Sequence, residues 1–383
     1  MKPHDMQPHV SPGGMVLIRH LSAGSAGSAS TMQPPSGNFG GGTNTMQYDY
    51  SGSYSVSLTV GEDSTAVIDG TDITASSSGS NGVFATDSGT ALVNDTSIET
   101  MADNSRGLDA TYGGTISANK ITADTQGGHS AIVATDRGGG SISLADATLS
   151  TAGSGSPLLY STGDIQVNNV SGTSSGSQIA GMEGLNTILI KDSTSESTVT
   201  GKTASDPIAN GTIIYQSTSG DAEASTGEHA TFQSVDSTLS SAIGSGSMFY
   251  FTNTTADVVL QNTELDFDTD AATLTDNAAA GSGTGTASDA PITVNVDGTS
   301  TWVVTKDTTI SALNVASGGD GNTVTIVANG KTVVSGSGDV TVTVTGSYST
   351  SVSAGSDTEL SSDTIDRSEF DSRFGTSTAW TMA

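Results

Sequence analysis

Between about Val83 and Phe267 one pattern recurs: two or three apolar residues, a polar turn with glycine, then alternating apolar residues closed by Asp or Asn. The first run appears as Gly82-Val83-Phe84-Ala85, Gly107-Leu108-Asp109-Ala110, Ala131-Ile132-Val133-Ala134, Pro157-Leu158-Leu159-Tyr160, Thr212-Ile213-Ile214-Tyr215 and Ser247-Met248-Phe249-Tyr250. The second appears as Leu92-Val93-Asn94-Asp95, Ile142-Ser143-Leu144-Ala145-Asp146, Ile165-Gln166-Val167-Asn168-Asn169, Ile188-Leu189-Ile190-Lys191-Asp192 and Val258-Val259-Leu260-Gln261-Asn262. An apolar residue then returns at Ile98, Leu149, Val170, Leu239 and Leu265. Alternation is the strand period, because successive side chains of an extended chain point to opposite faces. A unit of roughly 20 to 26 residues with two or three such strands and Gly, Asn or Asp at its corners predicts one coil of a parallel β-helix. The expected class is all-β, a parallel β-helix with a β-rich C-terminal cap.

Register and boundaries follow from the same pattern. Ala85, Ala110, Ala134 and Tyr160 lie 25, 24 and 26 positions apart and are read as equivalents. Asp87, Tyr112, Asp136 and Glu183 then align just after the first strand, with Arg137 one position further on. Longer offsets imply insertions around Ser193 to Asn210 and Thr218 to Ala230. In Leu158-Leu159-Tyr160, Ile213-Ile214-Tyr215 and Met248-Phe249-Tyr250 the middle residue must face away from its neighbours. The expected register puts Leu158 and Tyr160 inward and leaves Leu159, Ile214 and Phe249 as an outer apolar stripe under the inserted loops. Residues 1–45 read as a disordered leader, 46–290 as coils with inserted loops, 291–350 as C-terminal coils and cap with Trp302 closing the core, and 351–383 as a flexible acidic tail. Ala272 to Asp289 reads as a linker or a long loop.

Composition narrows the function. Of 383 residues, 33% are hydrophobic and 5% aromatic, which suits a thin solenoid column and argues against a packed helical or α/β enzyme. A net charge of −29 repels phosphate backbones and anionic lipid, so nucleic acid and membrane insertion are excluded as partners. Cysteine is absent, which removes disulfides and thiolate chemistry. No export signal is evident in the chain as given. Gly172-Thr173-Ser174-Ser175-Gly176 fits the nucleophile-elbow pattern without its strand-to-helix context, and Gly201-Lys202-Thr203 and Gly330-Lys331-Thr332 read as turns rather than phosphate loops.

Tyr48-Asp49-Tyr50-Ser51-Gly52, Ser105 to Ile116, Ala134 to Gly139, Gly155 to Gly163, Asn210 to Ser217 and Met248-Phe249-Tyr250 carry a resemblance. Over roughly Met46 to Thr350 the chain resembles adhesin-like bacterial and archaeal cell-surface proteins with right-handed parallel β-helices of the pectate-lyase-like type. The resemblance implies an extracellular or cell-surface location and supplies no catalytic residues. Stacked acidic corners with Arg106 or Arg137 could hold calcium against an acidic sugar and remove its proton, so the catalytic candidates are Asp136, Arg137, Arg106 and Glu183. The competing expectation is that these are solvated turn residues. Tyr112, Tyr160, Tyr215 and Tyr250 are candidates for stacking on sugars. Asp266, Asp268 and Asp270 have the spacing of the first three ligands of a calcium loop, and calcium is the one cofactor considered. His129 and His229 read as lone surface histidines.

The favoured function is a non-catalytic surface solenoid that contacts glycans or a host or neighbouring cell surface. The alternatives are a polysaccharide lyase or hydrolase on the same β-helix, and a structural filament or matrix protein assembling end to end.

Overall fold

A computed structural model describes residues 15–18, 21–23, 52–202, 209–216, 222, 230–243, 247–252, 254, 256–267, 274–276, 292–296, 301–302, 307–310, 312–316, 325–351 and 363–382. The strands stack in parallel into a β-solenoid of about seven turns. Each coil contributes one short strand to the first sheet and one long or bent strand to the second. The first sheet stacks Val83–Thr86, Leu108–Thr111, Val133–Asp136, Leu159–Ser161, Ala180–Glu183, Asn210–Tyr215 and Ser247–Thr252. The second stacks Thr90–Thr100, Gly114–Thr125, Gly140–Thr151 and Asp164–Ser174, and later coils split that strand in two, as in Thr187–Lys191 and Thr194–Ser197.

The split falls at a corner where Asp95, Lys120, Asp146, Asn169, Asp192, Asp236 and Asn262 all take positive φ between 45° and 55°. Asn and Asp tolerate this left-handed geometry, which explains why they hold this corner in every one of these coils except that of Lys120. Inside, Ile116, Ile142, Ile165, Ile188, Phe232 and Val258 stack in one register, and Ala118, Leu144, Val167 and Ile190 in the next inward position. At the far end of each long strand the inward residue is polar: Thr100, Thr125, Thr151, Ser174, Ser197 and Ser241 form a buried hydroxyl column. Ser174 is thus an interior rung residue and no nucleophile. Gly172 is small for the same reason of stacking, since a Cβ there would lie 2.7 Å from Leu158 Cδ1. Beyond the hydroxyl column, Ser80, Ser105 and Ser130 each donate a backbone N–H to the Oγ of the next coil's serine, at 3.0, 2.9 and 2.9 Å.

Two register expectations are corrected. Ala85 pairs with Ala110 and Ala134 with Tyr160 as expected, but Ala134 pairs with Asp109 and Ala110 with Thr135, so the alignment slips by one residue at that single step. A one-residue slip turns every side chain over. Leu159, Ile214 and Phe249 consequently lie in the central core, and the outer column is Phe84, Asp109, Ala134, Tyr160, Gly181, Ile213 and Tyr250. Asp136 aligns with Thr111, one position before the corner that Asp87, Tyr112 and Arg137 share by positive φ.

The ends also differ from expectation. Within the segment read as a leader, Met15–Ile18 and Leu21–Ala23 pair in parallel with Thr65–Asp69 and Asp72–Ala75. Thr194–Ser197 is a regular rung rather than part of an insertion, and the stretch read as a linker contains the rung Leu274–Asp276. Gly330-Lys331 sits in the turn of an antiparallel hairpin, Thr325–Ala328 with Lys331–Val334, at the far end of the first sheet. Trp302 pairs through its backbone with Leu265, and its side chain lies outside the described residues.

The tail is the largest correction. Residues 363–382 fold back onto the flank of the second sheet, with a helix at Ser368–Phe374 that ends at left-handed Gly375. The outward column beneath them is Val67, Leu92, Ser117, Ser143, Gln166, Leu189 and Gln233. Phe370 packs on Val67 and Leu92, and Met382 on Leu189 and Val235. Arg367, 1% exposed, donates to Ser143 O at 2.8 Å, Ser143 Oγ at 2.7 Å and Ala118 O at 2.9 Å.

Candidate functional site

The slip in the first sheet assembles a charged cluster on its outer face. Arg106 precedes the strand Leu108–Thr111, and its Nη1 meets Asp136 Oδ2 at 2.6 Å and Asp109 Oδ2 at 3.4 Å. The guanidinium lies 5.5 Å from the centroid of the Tyr160 ring. Tyr160 in turn donates to Glu183 Oε2 at 3.0 Å, and its hydroxyl stands 3.5 Å from that of Tyr215. Five residues singled out from sequence, Arg106, Asp136, Glu183, Tyr160 and Tyr215, are therefore one contiguous network spanning five coils.

Its environment is not the expected solvated turn. Asp109 is 0% exposed, Glu183 1% and Asp136 5%. Burial pushes the Asp109 carboxyl up to about 7, opposed by the charge of Arg106 and reinforced by that of Asp136. Asp109 Oδ1 has no hydrogen-bond partner among the described residues. Asp109 is the site residue that the sequence reading missed. Its signal was an Asp at the strand centre, in the column otherwise held by Phe84, Ala134 and Tyr160.

Other candidates fall elsewhere. Arg137 is buried beside the cluster, and its backbone N–H reaches its neighbour's Asp136 Oδ1 at 2.8 Å. Tyr112 sits at the corner with φ of 46°, half-buried and against Gly138, away from the Tyr160 row. Tyr250 shares the outward column of Tyr160 and is fully buried. The four tyrosines therefore do not form one exposed row. His129 is exposed. Asp268, Asp270 and the Asp266 side chain lie outside the described residues, as does His229, and among the described residues no group of three or more His, Asp or Glu is placed to hold a metal.

A second feature lies outside the left-handed corner of the second sheet. A groove of about 530 Å³ runs across successive coils, lined by Thr122, Thr148, Ser171 and Thr194 on one side and by Asp95, Lys120, Asp146, Asn169 and Asp192 along the corner. Strand stacking spaces these residues by about 4.8 Å. Asn169 Nδ2 donates to Asp146 Oδ1 at 2.6 Å, and Asn262 Nδ2 does the same to Asp236 Oδ1 at 2.6 Å. The hydrogen bond from Asn262, together with that from Lys191, holds the Asp236 carboxyl below the usual range. The groove thus presents a ladder of hydroxyl, amide and carboxylate groups at regular spacing.

Among the described residues no helix is long and apolar enough to cross a membrane. No family model, curated protein or solved structure matches the chain.

Proposed function

We propose that this chain is a non-catalytic β-solenoid of the cell surface or extracellular space that contacts carbohydrate along its outer corner groove. The carrying observation is the groove itself, whose exposed threonines and serine recur at each coil beside polar corner residues. Sugars are recognised by such arrays of hydroxyl, amide and carboxylate groups, and the strand repeat offers the same contact to each unit of an extended polymer. The experiment is affinity electrophoresis through gels cast with polygalacturonate or with neutral glycans. Retardation that Thr148→Arg with Ser171→Arg abolishes supports the reading; migration unchanged by every glycan overturns it.

The resemblance to adhesin-like proteins agrees with this reading. A second reading, a polysaccharide lyase or hydrolase, is favoured by one observation: a carboxyl near neutral pKa beside Arg106 and Asp136 has the character of a general acid. Release of unsaturated product or reducing ends from those polymers, lost in Asp109→Asn, would establish it. The burial of Asp109, Asp136 and Glu183 favours the first reading, because their carboxylates face Arg106 and Tyr160 rather than an open cleft.

A further inference from the structure

The C-terminal segment is built as a separate small module. Thr364 Oγ1 donates to Trp380 O at 2.9 Å, which brings the two ends of the segment together. Arg367 Nε donates to Thr378 Oγ1 at 2.8 Å, and its guanidinium stacks on Phe370 at 4.7 Å and on Trp380 at 5.2 Å. Asp371 accepts from Thr376 Oγ1 at 2.8 Å and from Thr378 N and Oγ1 at 2.9 and 2.7 Å. These bonds close the module on itself before it touches the solenoid.

Its contacts with the solenoid are those of a ligand in a groove rather than of an added strand. Arg367 reaches Ser143 and Ala118, 224 and 249 positions upstream. Gln166 reads the module's backbone with both ends of its amide: Oε1 accepts from Ile365 N at 2.8 Å, and Nε2 donates to Asp363 O at 3.4 Å. The same column carries Gln233, fully buried, whose amide nitrogen and oxygen both lack a partner among the described residues.

The connection between module and solenoid is long. From the rung of Ser349 to that of Gln166 there are six steps, through Asn314, Asn295, Val259, Gln233 and Leu189, or roughly 29 Å at about 4.8 Å each. The intervening residues 350–362 can reach roughly 45 Å when extended. That covalent length lets the module reach its own groove, and a site on the same chain offers an effective concentration on the order of millimolar.

We propose that the outward column from Val67 to Gln233 is a peptide-binding site whose partner is the C-terminal module of a second copy of this chain, taken up in exchange for the chain's own. The contacts are identical in the two cases, so exchange costs only the tether's advantage, as in domain swapping generally. Copies crowded together join module to groove, either as closed pairs or as open chains. The net charge of −29 opposes the approach of two copies, so exchange rises with salt.

The test uses two full-length variants that cannot dock their own modules. Arg367→Glu carries a defective module and an intact groove, and Ser143→Arg the converse, with the solenoid interior untouched because Ser143 faces outward. Analytical ultracentrifugation at about 100 μM, below the millimolar effective concentration of an own module but sufficient where no own module competes, should show each variant alone as a monomer and their equimolar mixture as a species of twice the mass. A fluorescent peptide of residues 361–383 should bind Arg367→Glu, compete with that association, and bind roughly 30-fold more weakly when it carries Arg367→Ala, given the three bonds from the guanidinium. A mixture that remains monomeric while circular dichroism shows both variants folded overturns the proposal. So does a peptide that fails to bind the intact groove, which tests the site even if Ser143→Arg does not fold.

Discussion

Two of the three arginines buried among the described residues, Arg106 and Arg367, lie on the outer faces of different sheets of this solenoid, and their surroundings differ in kind. Arg106 meets two carboxylates, Asp136 and Asp109, under a tyrosine ring. Arg367 meets neutral oxygens of Ser143 and Ala118 between two aromatic rings. In the first case desolvation acts on the partner, and the Asp109 carboxyl rises to about 7. In the second it acts on the arginine, whose pKa burial lowers to about 10 although Asp371 and Asp146 oppose the change. Charge compensation therefore joins neighbouring coils on the first sheet, whereas directional hydrogen bonding joins a remote segment to the second. The first needs a positive charge at about the right place; the second needs the planar fork of a guanidinium.

The largest expected effect breaks this contrast at Arg367. Arg367→Ala removes donors from three buried acceptors, at about 1 to 3 kcal/mol for each left unsatisfied, and frees the module from Val67, Leu92, Leu189 and Val235. A loss of several degrees in melting temperature is expected, with proteolysis appearing between residues 350 and 382. Arg367→Lys should resemble Arg367→Ala, since one ammonium nitrogen cannot stand at the separate Nε, Nη1 and Nη2 positions that reach Thr378, Ser143 and Ala118. Arg106→Lys should retain most of the wild-type stability, and Arg106→Ala should lose about 3 kcal/mol by leaving buried carboxylates without a cation. If the two lysine variants behave alike, the distinction drawn here is wrong.

The two arginines also show why the sequence disclosed some parts and concealed others. Coil architecture was legible because alternation and corner residues such as Asp95, Asp146 and Asn169 are local signals. The registers of Arg106 with Asp136 and of Tyr160 with Tyr215 were half legible: the residues were singled out, but an alignment on Ala134 instead of Thr135 reversed which side chains face out. Nothing local distinguishes the two, because Ala134 and Thr135 both fit an interior position. The docking of Arg367 was not legible at all. It depends on small Ser117 and Ser143 leaving room in a column that is otherwise apolar or amide, and those serines look like every other outward serine of the chain.

The pH response sharpens the comparison from the acidic side. Asp109 is raised to about 7 and Asp164, also through burial although Gln166 opposes it, to about 6. Each carboxyl is protonated in both folded and unfolded chains below about pH 4. As pH rises past that point the unfolded chain ionises first, so the stability contributed by these groups falls until the folded carboxyls also lose their protons, near 6 and 7. Urea midpoints should therefore decline from pH 4.5 to 7 in the wild type. Asp109→Asn should flatten the upper part of that decline, and a slope unchanged by the substitution would show that Asp109 is ionised in the fold.

The smallest effect is expected at the corner, which neither arginine hydrogen-bonds. Asp146 holds φ of 51°, with its side chain accepting from Asn169. Asp146→Gly relieves the left-handed strain while losing one exposed hydrogen bond, and the two changes nearly cancel, leaving a difference of about 0.5 kcal/mol or less. Asp146→Val loses the bond and adds a β-branched side chain where left-handed geometry disfavours it, for a cost of about 1 to 2 kcal/mol. Chemical denaturation of the pair separates strain from bonding. Equal destabilisation by Gly and Val would assign the corner's value to the Asp146–Asn169 bond, and so to the polar ladder that lines the groove rather than to the backbone that turns it.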